Sequence, residues 1–399
     1  MAKVLLVTDI FPPQIGGPAT FIDRLAHSLA GRDHNVSVVC SSPQGRDASD
    51  EARPFTVRRV GLASRERYEV MVRLRLALEM SRHRLIFVNG LERYVAQVNQ
   101  ILRRPFVLKI VGDTVWETAR NRGMTHLSID DFQTDGPSHV KFAADLRARK
   151  RYVDAARHIV VPSEYLRRLV EGWGIARERI TVIRNGTTSP VTGAVVRPRS
   201  SQPLRALFVG RLTNWKGVET LLLAARDLEA LDVEIVGDGP MWPHFVELSA
   251  QLGLTDRVLF RGRLSAEGVQ DAMARAHVLV LTSLYEGLSH TALEAFAAGL
   301  PCIVSDRGGN EEVVKDERNG LVVPAQNVGR LAHALGRLAT DDVFRCRLAA
   351  AALDTVRAFD LADTVTRTEQ LLLDESARGF QADGARAVRS NAKSALEKA

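Results

Sequence analysis

Strand-patterned and helix-patterned segments alternate along almost all of this 399-residue chain, and that alternation constrains its fold more than any other feature. Such a pattern implies parallel sheets with crossover helices. In the first half the predicted strands are Lys3–Thr8, Asn35–Cys40, Arg84–Asn89, Pro105–Ile110, His158–Val161 and Arg179–Ile183, with helices such as Ala19–Leu29 and Val95–Leu102 between them. Thr187–Pro203 then carries three prolines and several Ser/Thr, a linker composition. A second series starts at Leu204, with strands at Val233–Val236, Val258–Phe260, Val278–Thr282, Cys302–Val304 and Leu321–Val323. The expected architecture is α/β, with two doubly wound domains facing a cleft. Residues 1–190 form the first and 204–358 the second, joined by a linker at 191–203. A last apolar-periodic helix, Phe359–Leu373, falls within 359–380. Residues 381–399 have almost no large apolar side chains and are expected to lack packed structure. In sheets of this kind ligands gather at the carboxyl ends of the strands.

Hydrophobic residues make up 45% of the chain, enough for two cores, yet no apolar run reaches membrane-spanning length. Met1–Asp9 reads as a buried strand ending in a carboxylate, too short for a signal peptide. Cys40, Cys302 and Cys346 lack metal-ligand spacing and read as reduced residues of a cytoplasmic protein. The net charge is +7, and between Arg65 and Lys109 ten Lys/Arg stand against four Glu. A phosphate-rich substrate, an anionic membrane surface or RNA would each account for this, as would a plain solvated helix face. RNA has the least support, because no recognition motif or interleaved aromatics accompany the charge, so no nucleic-acid partner is expected. Peripheral contact of the basic N-terminal domain with the inner membrane face stays open.

The chemistry concentrates in Glu286-Gly-Leu-Ser-His-Thr-Ala-Leu-Glu294, two carboxylates eight positions apart. Eight helical residues rise about 12 Å, roughly the span from a transferable sugar to the ribose of its nucleotide. A helix start also offers unpaired N–H groups to an anion. The spacing alone is common by chance. Upstream, Leu207-Phe-Val-Gly210-Arg211-Leu-Thr-Asn-Trp-Lys216-Gly217 reads as a strand, a turn and a helix start, with two cations suited to a diphosphate. Downstream, Gly299-Leu-Pro301, a short strand and Gly308-Gly309-Asn-Glu-Glu312 follow.

Val209–Glu312 resembles the donor domain of the family 4 retaining glycosyltransferases, GT-B enzymes of glycosyltransferase group 1 with two Rossmann-like domains. The hallmark "VGRL…KG" followed by "EG…E-A-x-A-x-G-x-P…GG…E" matches in order and spacing. Gly16-Gly17 matches the family's first loop, and the likeness extends over residues 1–375 or so. The resemblance implies a hexose moved from a nucleoside-diphosphate sugar to an acceptor hydroxyl with retention, with no metal and no further cofactor. Glu286 would hold the hexose, and Arg211 and Lys216 the leaving diphosphate beside Gly210. Ser283 and the amides of Gly287, Leu288 and Ser289 would frame the pyrophosphate. Glu294 would take the ribose, and the Arg263-Leu264 loop would offer backbone groups to the base. The last helix would cross back onto the first domain.

On the acceptor side the chain departs from the family pattern. Gly112 stands where many relatives carry a histidine, which leaves Asp113 as the candidate beside the reacting hydroxyl, with helix capping as the competing account. The long segment Arg120–His139 reads as an acceptor lid; its His126 and His139 read as surface residues. Val236-Gly-Asp-Gly239 lacks the third glycine of a dinucleotide fingerprint and reads as a turn. Asp-x-Asp is absent, so cation duty falls to Arg211, Lys216 and helix amides. Two rival readings remain: an epimerase or inverting transferase on the same fold, and a non-catalytic nucleotide-sugar binder.

Overall fold

A computed structural model of the chain describes residues 2–14, 16–43, 45, 47–61, 64–187 and 203–377. The first sheet has the order β3-β2-β1-β4-β5-β6-β7. Its strands are β1 (Lys3–Thr8), β2 (Asn35–Ser42), β3 (Thr56–Gly61), β4 (Leu85–Asn89), β5 (Val107–Lys109), β6 (His158–Val161) and β7 (Ile180–Val182). The second has the order β10-β9-β8-β11-β12-β13. It comprises β8 (Leu204–Val209), β9 (Leu231–Val236), β10 (Val258–Gly262), β11 (Val278–Leu281), β12 (Cys302–Ser305) and β13 (Gly320–Val323). All neighbouring strands are parallel. The architecture is therefore α/β with two doubly wound sheets.

Helices cover both faces of these sheets, and for that reason the inner strands are apolar without interruption. Along β1, Leu5 and Val7 join the core on one face, while Val4 and Leu6 join the core on the other. The sequence reading lacked β3. That strand lies at the sheet edge, and its Thr56, Arg58 and Gly61 are exposed, so no apolar alternation announces it.

The last helix, 361–377, packs Val365 and Leu372 into the core of the first sheet. Glu369 on it pairs with Arg32 and, at 2.7 Å, with His34, and Glu375 pairs with Arg157 at 3.3 Å. Thr187 bridges to Asp360 beside it. Most of the expected linker, and all of the expected tail, lie outside the described residues.

In each sheet the winding reverses once, between β1 and β4 and between β8 and β11. At such points adjacent loops diverge and leave a crevice. Glycines bring the loops of the second reversal together. Gly217, at φ +77°, lies so close to the end of β11 that a Cβ there would meet Thr282 O at 2.3 Å. This contact sets the segment after β8 against the segment after β11.

Candidate active site

At that reversal Lys216 Nζ donates to Glu286 Oε1 at 2.6 Å, and Ser283 Oγ donates to the same oxygen at 2.8 Å. Both side chains of the ion pair are largely buried. An ammonium has three donors, so this pairing leaves two for a ligand. Glu286 is held from behind by Gly308 and Gly309. Gly309 N–H donates to Glu286 O at 2.7 Å, and a Cβ on Gly308 (φ +82°) would stand 2.2 Å from that carbonyl. Gly210 N–H is taken by Val236 O at 3.0 Å, so this turn is fixed by the neighbouring strand. Next to it Arg211 is exposed, and no described residue forms a side-chain bond with its guanidinium.

The helix after Glu286 begins only at His290 and runs to Ala297. The two carboxylates therefore do not share one helix, which corrects the spacing argument: Glu286 lies in the loop and Glu294 on the second turn. Ser289 caps this helix by accepting from Ala292 N at 3.2 Å. Its own N–H goes to Asn310 Oδ1 at 3.2 Å, so the Ser289 amide is already engaged. Those of Gly287 and Leu288 have no acceptor among the described residues. Glu294 is half-buried; burial raises its pKa, and Arg24 at 3.9 Å opposes the shift. Burial, with Lys109 and Arg24 near, pushes the His290 imidazole down to about 3. Gly17 abuts that ring, since a Cβ there would lie 3.2 Å from His290 Cδ2. Gly16-Gly17 thus meets the start of the donor-side helix. In the loop after β10, Arg263 pairs with Asp238 at 3.1 Å and half-buried Leu264 packs on the core, which leaves backbone groups for a ligand.

Several residues to which the sequence reading gave no role of their own, Glu312 of the motif among them, clamp the two halves together. Lys109 Nζ donates to Asn185 Oδ1 at 3.0 Å, and Asn185 Nδ2 donates to Leu288 O at 2.9 Å. Burial pushes the Lys109 amine down to about 7. Tyr285 O–H donates to Val111 O at 2.8 Å, and its ring joins Trp215 and Trp116 in one aromatic cluster. Glu312 accepts from Glu164 N and Tyr165 N at 3.0 and 2.9 Å, capping the helix Glu164–Glu171 of the other half. Each link joins residues far apart in sequence, so no local pattern signals it.

The acceptor-side expectation for Asp113 is corrected. Asp113 is fully buried. Its Oδ1 accepts from Val115 N and Trp116 N at 3.0 and 3.3 Å, and its Oδ2 takes Arg149 Nη1 at 2.5 Å and Gln133 Nε2 at 3.0 Å. With both oxygens engaged, it caps the helix Thr114–Asn121. Breaking one side of a buried pair costs about 3 kcal/mol or more. Asp113→Asn is therefore expected to lower unfolding free energy by about that amount in chemical denaturation; unchanged stability would contradict this structural role.

Arg120–His139 is not one open loop, because the helix Ile129–Asp135 and the turn Gly136–Ser138 occupy much of it. Phe132 anchors it against Phe142, and His126 and His139 are exposed. The N-terminal group that does face the cations is Glu117, half-buried and one turn beyond Asp113. Burial pushes its carboxyl up to about 7; Lys216 and Arg211 pull it down, while Asp113 and Glu286 add to the rise.

Residues 196–354 match the family described as Glycosyl transferases group 1, and residues 16–186 match the Glycosyl transferase 4-like domain. The chain belongs to the group 1 glycosyltransferases. An uncharacterized glycosyltransferase of Methanocaldococcus jannaschii is 39% identical over 142 residues, 35% of this chain and 36% of that one. A D-inositol 3-phosphate glycosyltransferase of Nocardia farcinica is 31% identical over 63% of this chain and 59% of its own length. This glycosyltransferase thus spans less than two thirds of both relatives. Among solved structures, Anabaena HepE in complex with UDP and glucose superposes with a TM-score of 0.73 at 19% identity, covering 94% of this chain and all of that one. The fold of the glycosyltransferase is of the GT-B type.

Proposed function

We propose that this glycosyltransferase moves a hexose from a nucleoside-diphosphate sugar to an acceptor hydroxyl with retention of configuration, without a metal. The observation that carries the reading is Arg211, without a side-chain partner among the described residues, beside the Lys216–Glu286–Ser283 cluster at the reversal point of the second sheet. A planar guanidinium and an ammonium neutralise the charge that grows on a departing diphosphate. In this reading Glu286 takes hexose hydroxyls, the Gly287 and Leu288 amides take phosphate oxygens, and Glu294 takes the ribose. That HepE was solved with UDP and glucose supports a nucleotide-sugar donor. The likeness of the donor-domain motif to that of retaining enzymes supports retention. The test is incubation with a panel of nucleotide sugars in EDTA: release of free nucleotide with sugar transfer is expected. A protein that binds donors without turnover, or that needs a divalent metal, would overturn the reading.

The same reading places the enzyme in the cytoplasm, at the inner membrane face. Among the described residues no helix is long and apolar enough to cross a membrane. The helix Arg65–Arg82 instead presents Val70, Met71, Leu74 and Leu78 to solvent, at 55, 54, 61 and 40% exposure. Exposed Arg67 and half-buried Arg75 flank this ridge, a combination suited to an anionic lipid surface. Inserting one leucine contributes about 1.5–3 kcal/mol, so Leu74→Glu should weaken flotation with phosphatidylglycerol vesicles about tenfold. Equal flotation of variant and wild type would reject this surface.

A further inference from the structure

We propose that Glu117 is the catalytic base of the first domain, taking the proton of the acceptor hydroxyl as that hydroxyl attacks the donor sugar. The assignment rests on the transferase reading above and adds to it the residue that activates the nucleophile.

The position of Glu117 is fixed by what surrounds its helix. Asp113 caps the helix start and accepts Glu117 N–H at its carbonyl at 2.9 Å. The neighbouring Trp116 is wholly buried, and its Nε1 donates to Leu127 O at 3.0 Å. The helix therefore cannot roll, and the Glu117 side chain projects over Gly112. A Cβ on Gly112 would stand 2.4 Å from Glu117 Oε1 and 3.2 Å from the Tyr285 hydroxyl. Any other residue at 112 would take the space the carboxyl uses.

No described residue gives that carboxyl a hydrogen bond or an ion pair. Half-buried carboxylates normally find a partner, so one held in place without any is available to a substrate. The charged and titratable groups facing it are Lys216, Asp113, Glu286, Arg211 and Tyr285. Lys216 and Arg211 mark the departing diphosphate and Glu286 marks the hexose, all on the second domain. Glu117 meets them from the first domain. It thus faces the groups for the diphosphate and for the hexose from across the cleft.

The step balances without any further reagent. The acceptor O–H proton passes to the Glu117 carboxylate while the hydroxyl oxygen bonds to the anomeric carbon. The bond from that carbon to the phosphoryl oxygen breaks, and its electron pair leaves on the diphosphate beside Arg211 and Lys216. Glu117 then returns its proton to water. A carboxyl pushed up to about 7 is matched to this duty at neutral pH.

The test uses the full-length protein with UDP-glucose and GDP-mannose as donors, and water in the acceptor's place. Donor hydrolysis and UDP affinity are measured for the wild type, Glu117→Gln and Glu117→Asp. Glu117→Gln is expected to lose about a hundredfold in kcat while its Kd for UDP stays within about twofold. In the wild type kcat should climb with pH and level off above about 7. That limb should vanish in Glu117→Gln and return, at a lower rate, in Glu117→Asp. A Glu117→Gln variant with the wild-type rate or an unchanged pH limb overturns the assignment, as does a loss that lies wholly in donor affinity. Failure of the transferase reading shows elsewhere, as a wild-type protein that frees nucleotide from neither donor.

Discussion

Arg211→Ala and Lys216→Ala are each expected to slow sugar transfer about a hundredfold or more, the size found when one preorganised charge is removed from a leaving group. The two side chains arrive there differently. Arg211 follows the end of β8 with no side-chain partner among the described residues, and its turn is fixed by the Gly210–Val236 backbone bond at 3.0 Å. Lys216 is oriented by its 2.6 Å bond to Glu286. Removing Lys216 therefore has a second consequence, because Glu286 keeps only Ser283 as a partner. Steady-state kinetics with the best donor of the panel measure both effects. Near wild-type turnover in either variant would show that the diphosphate charge is held elsewhere. Lys216→Arg should recover only part of the loss, since a planar fork cannot reproduce the ammonium's approach to Glu286.

Glu294→Ala is expected to weaken binding of the free nucleoside diphosphate by about tenfold, the loss of a charged hydrogen-bond acceptor. Glu286→Ala should leave that affinity nearly unchanged and instead reduce turnover. The division follows from position. Glu294 lies on the helix His290–Ala297, beside Arg24 of the opposite domain, whereas Glu286 lies in the preceding loop with Lys216 and Ser283. A ribose is present in the product nucleotide, and a hexose is not. Calorimetry with UDP and with GDP separates the two; equal losses of affinity would reject the assignment of separate partners.

What the amino-acid sequence makes legible here follows the range of the forces involved. Lys3–Thr8 and His158–Val161 are read to the residue, because burial on both faces leaves an apolar run bounded by polar groups. The edge strand Thr56–Gly61 is not, since solvent on its exposed positions removes the pattern. The donor motifs are legible because glycines that permit backbone contact, such as Gly217 against Thr282 and Gly308 against Glu286, leave a local signature. Spacing misleads where the helix start is set by a cap: Ser289 begins the helix after Glu286, not before it. Asp113 and Glu117 are adjacent turns of one helix with similar side chains. Which one faces the cleft is decided by Gln133 and Arg149, far along the chain, and by the missing side chain at Gly112. Nothing within a short window carries that information.

The central claim, transfer from a nucleotide sugar with retention and without a metal, comes down to the product's anomeric proton. Proton NMR of the wild-type enzyme with donor and acceptor in EDTA reports transfer, metal need and configuration together. The account predicts a new glycoside signal with the same anomeric configuration as the donor, growing as free nucleotide accumulates. An inverted anomer, or an epimerised donor with no glycoside, would contradict it.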